Sequence, residues 1–248
     1  MKKISNNILK VILLGYCICS LVYLSGCGAK EKNNDHQLLI VPKIDFDYEE
    51  IETDYNVSNI NKPMMYFNCR FILPINYTYE PESESILRLA DKKYNFEQNT
   101  GVLWLQLDNL IEIHCNSKGD PLTDETFIKE LFEGNTDAAK EYYVNYNNKT
   151  LENANKFNSK EKYELLDQNI GIQYYKSEKN HKIAALSSEV TIMIDSNDEP
   201  TVIRNLYYYR EDLPDTYILT GANEKIDQAQ HYAIHIMNSL QIIDRATI

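Results

Sequence analysis

Residues 181–221 read HKIAALSSEVTIMIDSNDEPTVIRNLYYYREDLPDTYILTG. Apolar, β-branched and tyrosine residues suit a pleated, half-buried surface, and here they gather in His181–Leu186, Val190–Ile194, Val202–Tyr209 and Tyr217–Gly221. Polar turns such as Ser196-Asn197-Asp198 separate them. With Ile170–Tyr175 just before, the spacing predicts an antiparallel meander. Asn223 is suited to cap a closing helix through Ile242. Along it Ile226, Ala229, Ala233, Met237 and Leu240 recur at helical spacing and line one face, the mark of an amphipathic helix. Strands covered by such a helix make the fold class α+β, an antiparallel sheet flanked by helices.

Working outward, residues 120–162 read as a helical insertion. Thr123 can cap a helix in which Phe127, Ile128, Leu131 and Phe132 recur at helical spacing, Gly134 ends it, and Thr136–Val144 makes a second. Asn145–Lys162 is polar and reads as loop or a short solvated helix. Further upstream, Tyr66–Leu73 is a strand ending at Pro74, where a ladder donor is lost. Ile86–Leu89, Val102–Leu107 and Leu110–Cys115 read as further apolar or alternating segments. The folded body is therefore expected over residues 64–248. Residues 27–63 read as an extended lead-in: a polar tether from Gly28 to Gln37, the apolar run Leu38–Val41, then Ile44, Phe46 and Tyr48 alternating with acids.

The chain has 248 residues, 43% apolar and 25% charged, an ordinary balance for one mid-sized globular body. Its formal charge is −12, and the first 26 residues hold three lysines and no acid, so the remainder stands near −15. Such a body repels phosphate backbones, which argues against nucleic acid as a partner. It gains no attraction to an anionic lipid surface either, so membrane attachment would need an anchor.

The amino-terminal stretch supplies one. Lys2, Lys3 and Lys10 precede an apolar run from Val11 to Leu24, the build of an export signal and short for a membrane-spanning helix. The run ends in Leu24-Ser25-Gly26-Cys27, which resembles the lipobox of bacterial lipoproteins at all four positions. That resemblance implies a signal peptide over residues 1–26, cleavage before Cys27, and a diacylglycerol thioether on the Cys27 sulfur, with palmitate-class chains holding the body on the extracytoplasmic face of the cell membrane. Each buried methylene of such chains contributes about 0.8 kcal/mol, so two chains anchor far better than one. Of five cysteines, Cys69 and Cys115 then remain in the body. They are either a disulfide, which export permits, or two separate small apolar core residues.

An early strand into Leu73-Pro74, a late meander, and Tyr217-Ile218-Leu219-Thr220 leading to a helix ending Asn238-Ser239-Leu240 resemble the PsbP-like α/β/α sandwich over roughly residues 66–243. The resemblance implies an antiparallel sheet covered by helices and a non-enzymatic docking or assembly role.

Few residues suggest chemistry. His231 and His235 lie one helical turn apart, opposite the expected apolar stripe, where zinc chelation competes with plain surface exposure; no acid lies between them, so the metalloprotease motif fails. Asp195, Asn197 and Glu199 are spaced like the start of a calcium loop, but Pro200 and Leu206 stand where it needs Gly and Glu. Ser159 and Lys162 match Ser-x-x-Lys without the rest of that signature. No metal, cofactor or catalytic set is assigned. Tyr207, Tyr208 and Tyr209 alternate sides of a strand, so one ring faces outward if the sheet is covered on one face only. Together with Tyr174 and Tyr175 they are the candidate binding surface for an envelope protein or glycan, against the plainer reading that tyrosine suits strands. The leading expectation is a membrane-tethered binding or assembly module. The alternative is an extracytoplasmic solute receptor or hydrolase with a site built from distant residues.

Overall fold

The computed structural model describes residues 38–53, 69–82, 85–93, 110–115, 119–133, 135–157, 161–221 and 227–243. The expected leader, Cys27, the polar tether and the Val102–Leu107 segment lie outside them.

The fold is mixed α+β. Eleven strands run in chain order as β1 (Leu39–Ile40), β2 (Tyr48–Glu52), β3 (Cys69–Pro74), β4 (Tyr77–Pro81), β5 (Ile86–Asp91), β6 (Leu110–His114), β7 (Tyr163–Lys176), β8 (Lys182–Ile194), β9 (Thr201–Arg210), β10 (Tyr217–Gly221) and β11 (Gln241–Ile242). Helices α1 (Glu125–Phe132) and α2 (Thr136–Phe157) precede β7, and α3 (Asp227–Ser239) follows β10. Eight strands form one sheet in the order β1-β7-β8-β9-β10-β6-β5-β4, and β11-β3-β2 form a smaller one. Among the described residues every pairing is antiparallel except β1 with β7.

The expected meander is present with longer strands. His181–Leu186 and Val190–Ile194, read as two strands, merge into β8, because Ser187 to Glu189 pair with β7 and β9 without a break. Strand β7 begins at Tyr163 rather than Ile170, with a register shift between Leu165 and Asp167. Asn180 takes the turn between β7 and β8 at φ 63°, a left-handed position that asparagine tolerates.

Alternation along the strands divides the core. Ile183, Ala185, Tyr208, Ile218, Ile111 and Ile113 face α3 and the small sheet; Ala184, Leu186, Tyr207, Tyr209 and Tyr217 face α1 and α2. Both faces are thus covered across the central strands.

Three expectations change. Helix α2 runs to Phe157, through the polar stretch read as loop or a short solvated helix, which continues the helix from Thr136 without a break. Leu151 and Ala154 pack on Tyr163, Val190 and Ile192, and Asn155 bonds to both backbone groups of Tyr163 at 2.7 Å. Asn147 and Asn148 hold the Gln168 amide at 3.3 Å each, so these asparagines dock the helix on β7. Residues 38–53, placed ahead of the body, are hydrogen-bonded into it: β1 pairs with β7, and β2 with β3. Helix α3 stops at Ser239, β11 follows, and the helix is buried nearly all round: Tyr232, Ile234, His235 and Ile236 are buried as well as Ala229, Ala233 and Met237. One apolar stripe does not describe it, because the lead-in covers its other side. No helix among the described residues is long and apolar enough to cross a membrane.

Candidate functional site

Strand β6 reads Leu-Ile-Glu-Ile-His. Ile111 and Ile113 enter the core toward α3, which turns Glu112 and His114 to the opposite face. There they build a connected polar row. Arg88, the register partner of Glu112 on β5, donates its Nε–H to Glu112 Oε1 at 3.0 Å, and its other end pairs with Glu82. His114 Nε2 lies 3.0 Å from Glu112 Oε2. The imidazole stacks on Tyr217, its register partner on β10, at 4.4 Å and 12°. Tyr217 Oη donates to Asp120 Oδ2 at 2.9 Å, while Asp120 Oδ1 accepts from the Leu122 N–H.

The electrostatics follow from burial. Glu112 and His114 are both buried. Burial pushes the Glu112 carboxyl up, but hydrogen bonds from His114 and Arg88 outweigh it and leave the group below its ordinary 4.5. Burial raises the Glu82 carboxyl despite Arg88 beside it. Burial, reinforced by the Asp120 charge, drives the Tyr217 phenol up. A carboxylate holding an imidazole nitrogen is the geometry of an acid–base pair. Here Arg88 also binds that carboxylate, so Glu112 is shared between two partners within the row.

The proposed tyrosine surface is overturned. Tyr174, Tyr207, Tyr208 and Tyr209 are at most 5% exposed, and Tyr175 is half-buried against the core facing α3. The reason is the cover on both sheet faces. Tyr207 packs edge-on against Tyr143 at 5.4 Å and Tyr209 against Phe127 at 5.6 Å, beneath α1 and α2. Tyr208 points the other way and donates to the Gln230 carbonyl at 3.2 Å. Tyr174 donates to the Leu131 carbonyl at 2.5 Å, and the Lys182 ammonium lies over its ring at 5.3 Å. These rings are core, which is the plainer of the two sequence readings.

Cys69 and Cys115 are free thiols, each fully buried, so the disulfide is replaced by the alternative of two small core residues. Burial pushes the Cys69 thiol up to about 12, with the Thr53 hydroxyl 3.7 Å from its sulfur. The Asp195–Glu199 stretch is the turn between β8 and β9, closed by the Asn197 N–H on the Ile194 carbonyl. Lys162 donates to the Asn155 carbonyl at 2.6 Å; Ser159 lies outside the described residues.

The histidine pair departs most from expectation. His231 is partly exposed, its Nε2 2.6 Å from Asp45 Oδ1, but His235 is 1% exposed. No group of three or more ligands able to hold a metal ion occurs among the described residues. A cavity of about 300 Å³ lies at the far end of α3, lined by Lys179, His181, Arg210, Asp212 and Asn238 among others. Arg210 is 4% exposed there. It donates to the Met237 and Asn238 carbonyls and to both oxygens of Asp212, so it caps the helix end. Burial and Arg210 lower the His181 imidazole beside it.

No family model, curated protein or solved structure matches this chain.

The Glu112–His114 pair was open to sequence reading, since strand alternation places both on one face. Arg88 and Glu82 carried no such signal, because the pairing register of β5 and β6 is not written in either strand alone.

Proposed function

We propose that this chain is an extracytoplasmic lipoprotein, cleaved before Cys27 and held to the cell membrane by lipid on that residue. Its body then serves as a non-enzymatic binding or assembly module of the PsbP-like α/β/α type, for an envelope protein or glycan. The observation that carries this reading is the complete Leu24-Ser25-Gly26-Cys27 string closing a basic and then apolar leader. The internal pairing of Glu82, Arg88, Glu112 and His114 supports a stabilising role for the most chemically suggestive side chains. The acidic composition leaves attachment to the acyl chains rather than to charge.

Metabolic labelling with an alkyne fatty acid tests the anchor. The wild-type chain is expected to take label and to sediment with membranes. Cys27→Ala is expected to lose the label and to appear in the medium or soluble fraction; membrane association that persists without label refutes the anchor. Live-cell crosslinking of the wild-type protein tests the second half: recovery of a defined envelope protein or glycan is expected, and recovery of lipid alone counts against a binding module.

The Glu112–His114 pair favours one further reading, an extracytoplasmic hydrolase using it as acid and base. Turnover of a substrate panel that is abolished in His114→Gln, with folding intact, would replace the first reading with this one.

A further inference from the structure

The segment joining β1 to β2 crosses the outer side of α3 as a strap. Val41 is buried in the core, and its N–H bonds to the Lys176 carbonyl at 3.0 Å. At the other end the Asp47 carbonyl accepts from the Ile75 N–H at 3.1 Å. Between these ends Phe46 sits edge-on to three rings of α3: His231 at 5.6 Å, Tyr232 at 4.5 Å and His235 at 5.5 Å. Asp45 accepts from His231 on the solvent side. Beneath Phe46, His235 is 1% exposed, and its Nε2 is buried with no hydrogen-bond partner among the described residues. A neutral imidazole tolerates that position, whereas an imidazolium there would be a buried charge with an unsatisfied donor.

We propose that the strap over residues 41–47 is an acid-operated latch, in which protonation of His235 expels Phe46 and frees the strap from α3 while the two sheets stay folded. The groups that face His235 fix the sign. Burial lowers its imidazole from an ordinary 6.5 to about 4; the neighbouring His231 adds to this, and Asp45 opposes it. The polar groups that reach α3 from the sheets are Tyr77 and Tyr208, both neutral in acid, and Arg210, which is bonded to the helix-end carbonyls and Asp212. A histidine whose folded-state value is depressed favours the docked form fully above pH 6.5 and progressively less as pH falls toward 4. Between pH 6.5 and pH 4 the ratio of released to docked strap rises by ~80-fold. The Asp45–His231 pair works against release until Asp45 itself is protonated, but both partners meet water and salt, so the buried imidazole dominates.

Histidine NMR combined with hydrogen exchange on the whole chain tests the latch between pH 7.5 and 4. His235 is expected to titrate well below 6.5, and the Val41 and Ile75 amides to lose protection in step with it while β8 amides keep theirs. His235→Gln and His235→Leu are expected to keep the strap docked through the same range, and Asp45→Asn to release it at higher pH. Strap protection that does not change down to pH 4, a His235 that titrates near 6.5, β8 amides that open together with the strap, or release unchanged in both His235 variants would each overturn the proposal.

Discussion

The two faces of the large sheet are closed in different ways. The face bearing Tyr207, Tyr209 and Tyr217 is covered by α1 and α2, which come from one contiguous stretch between β6 and β7. The face bearing Ile111, Ile113 and Ile183 is covered by both ends of the described chain at once, β2 and β3 from one side and α3 and β11 from the other. The first core is rich in aromatic rings carrying hydroxyls, and the second is mainly aliphatic. Local segments can therefore nucleate one face early, while the other must wait for long-range closure.

The largest effects should come from emptying each core. Phe127→Ala and Ile111→Ala remove fully buried side chains from the tyrosine-rich and the aliphatic face, and each is expected to cost about 3–4 kcal/mol in denaturant unfolding. If the faces differ as argued, Phe127→Ala alone loosens exchange protection in α1 and α2 before global unfolding. Uniform loss over both faces would break the distinction.

Glu112→Gln should come next, at about 3 kcal/mol, because it leaves half-buried Arg88 and buried His114 without their shared carboxylate. The pH profile gives its sign. The Glu112 carboxyl sits below its ordinary 4.5 in the folded protein, so its contribution is present above pH 4.5 and lost as the pH falls through the depressed value. Urea titrations across pH 3–7 should show that acid-dependent component flattened in Glu112→Gln.

The tyrosine hydroxyls give the smallest and sharpest test. Tyr208→Phe removes a bond to the Gln230 carbonyl and should cost about 1 kcal/mol. Tyr209→Phe removes a buried hydroxyl with no hydrogen-bond partner among the described residues and should cost nothing, or stabilise slightly. Equal losses at the two positions, measured by thermal unfolding, would erase the difference between neighbouring residues on opposite faces.

The same contrast explains what was legible in the sequence. Clusters of strand-forming residues between polar turns marked β9, β10 and the two halves of β8, and Phe127, Ile128, Leu131 and Phe132 marked α1, because each pattern is local. Helix α1 starts one residue later than read, on an Asp124 cap. The tyrosine triplet was placed correctly on a strand, yet its exposure depended on whether the second face was covered, which no residue near it encodes. Likewise the asparagines of α2 left loop and a short solvated helix both open, because their role is to bond Tyr163 and Gln168, outside their own segment. The contact of Asp45 with His231 joins residues 186 positions apart. Helical spacing found the histidine pair; only the fold could show that one of the two is sealed.

The two-residue strand β1 has a mechanical consequence. Among the described residues it is the one parallel pairing, at the edge of the large sheet, and it lies where the described chain begins. Any pull from that direction meets this short ladder first, long before it reaches the full-length β7–β8 pairing. Under load β1 is expected to yield before the longer ladder of β7 and β8, because it is held by only two register pairs.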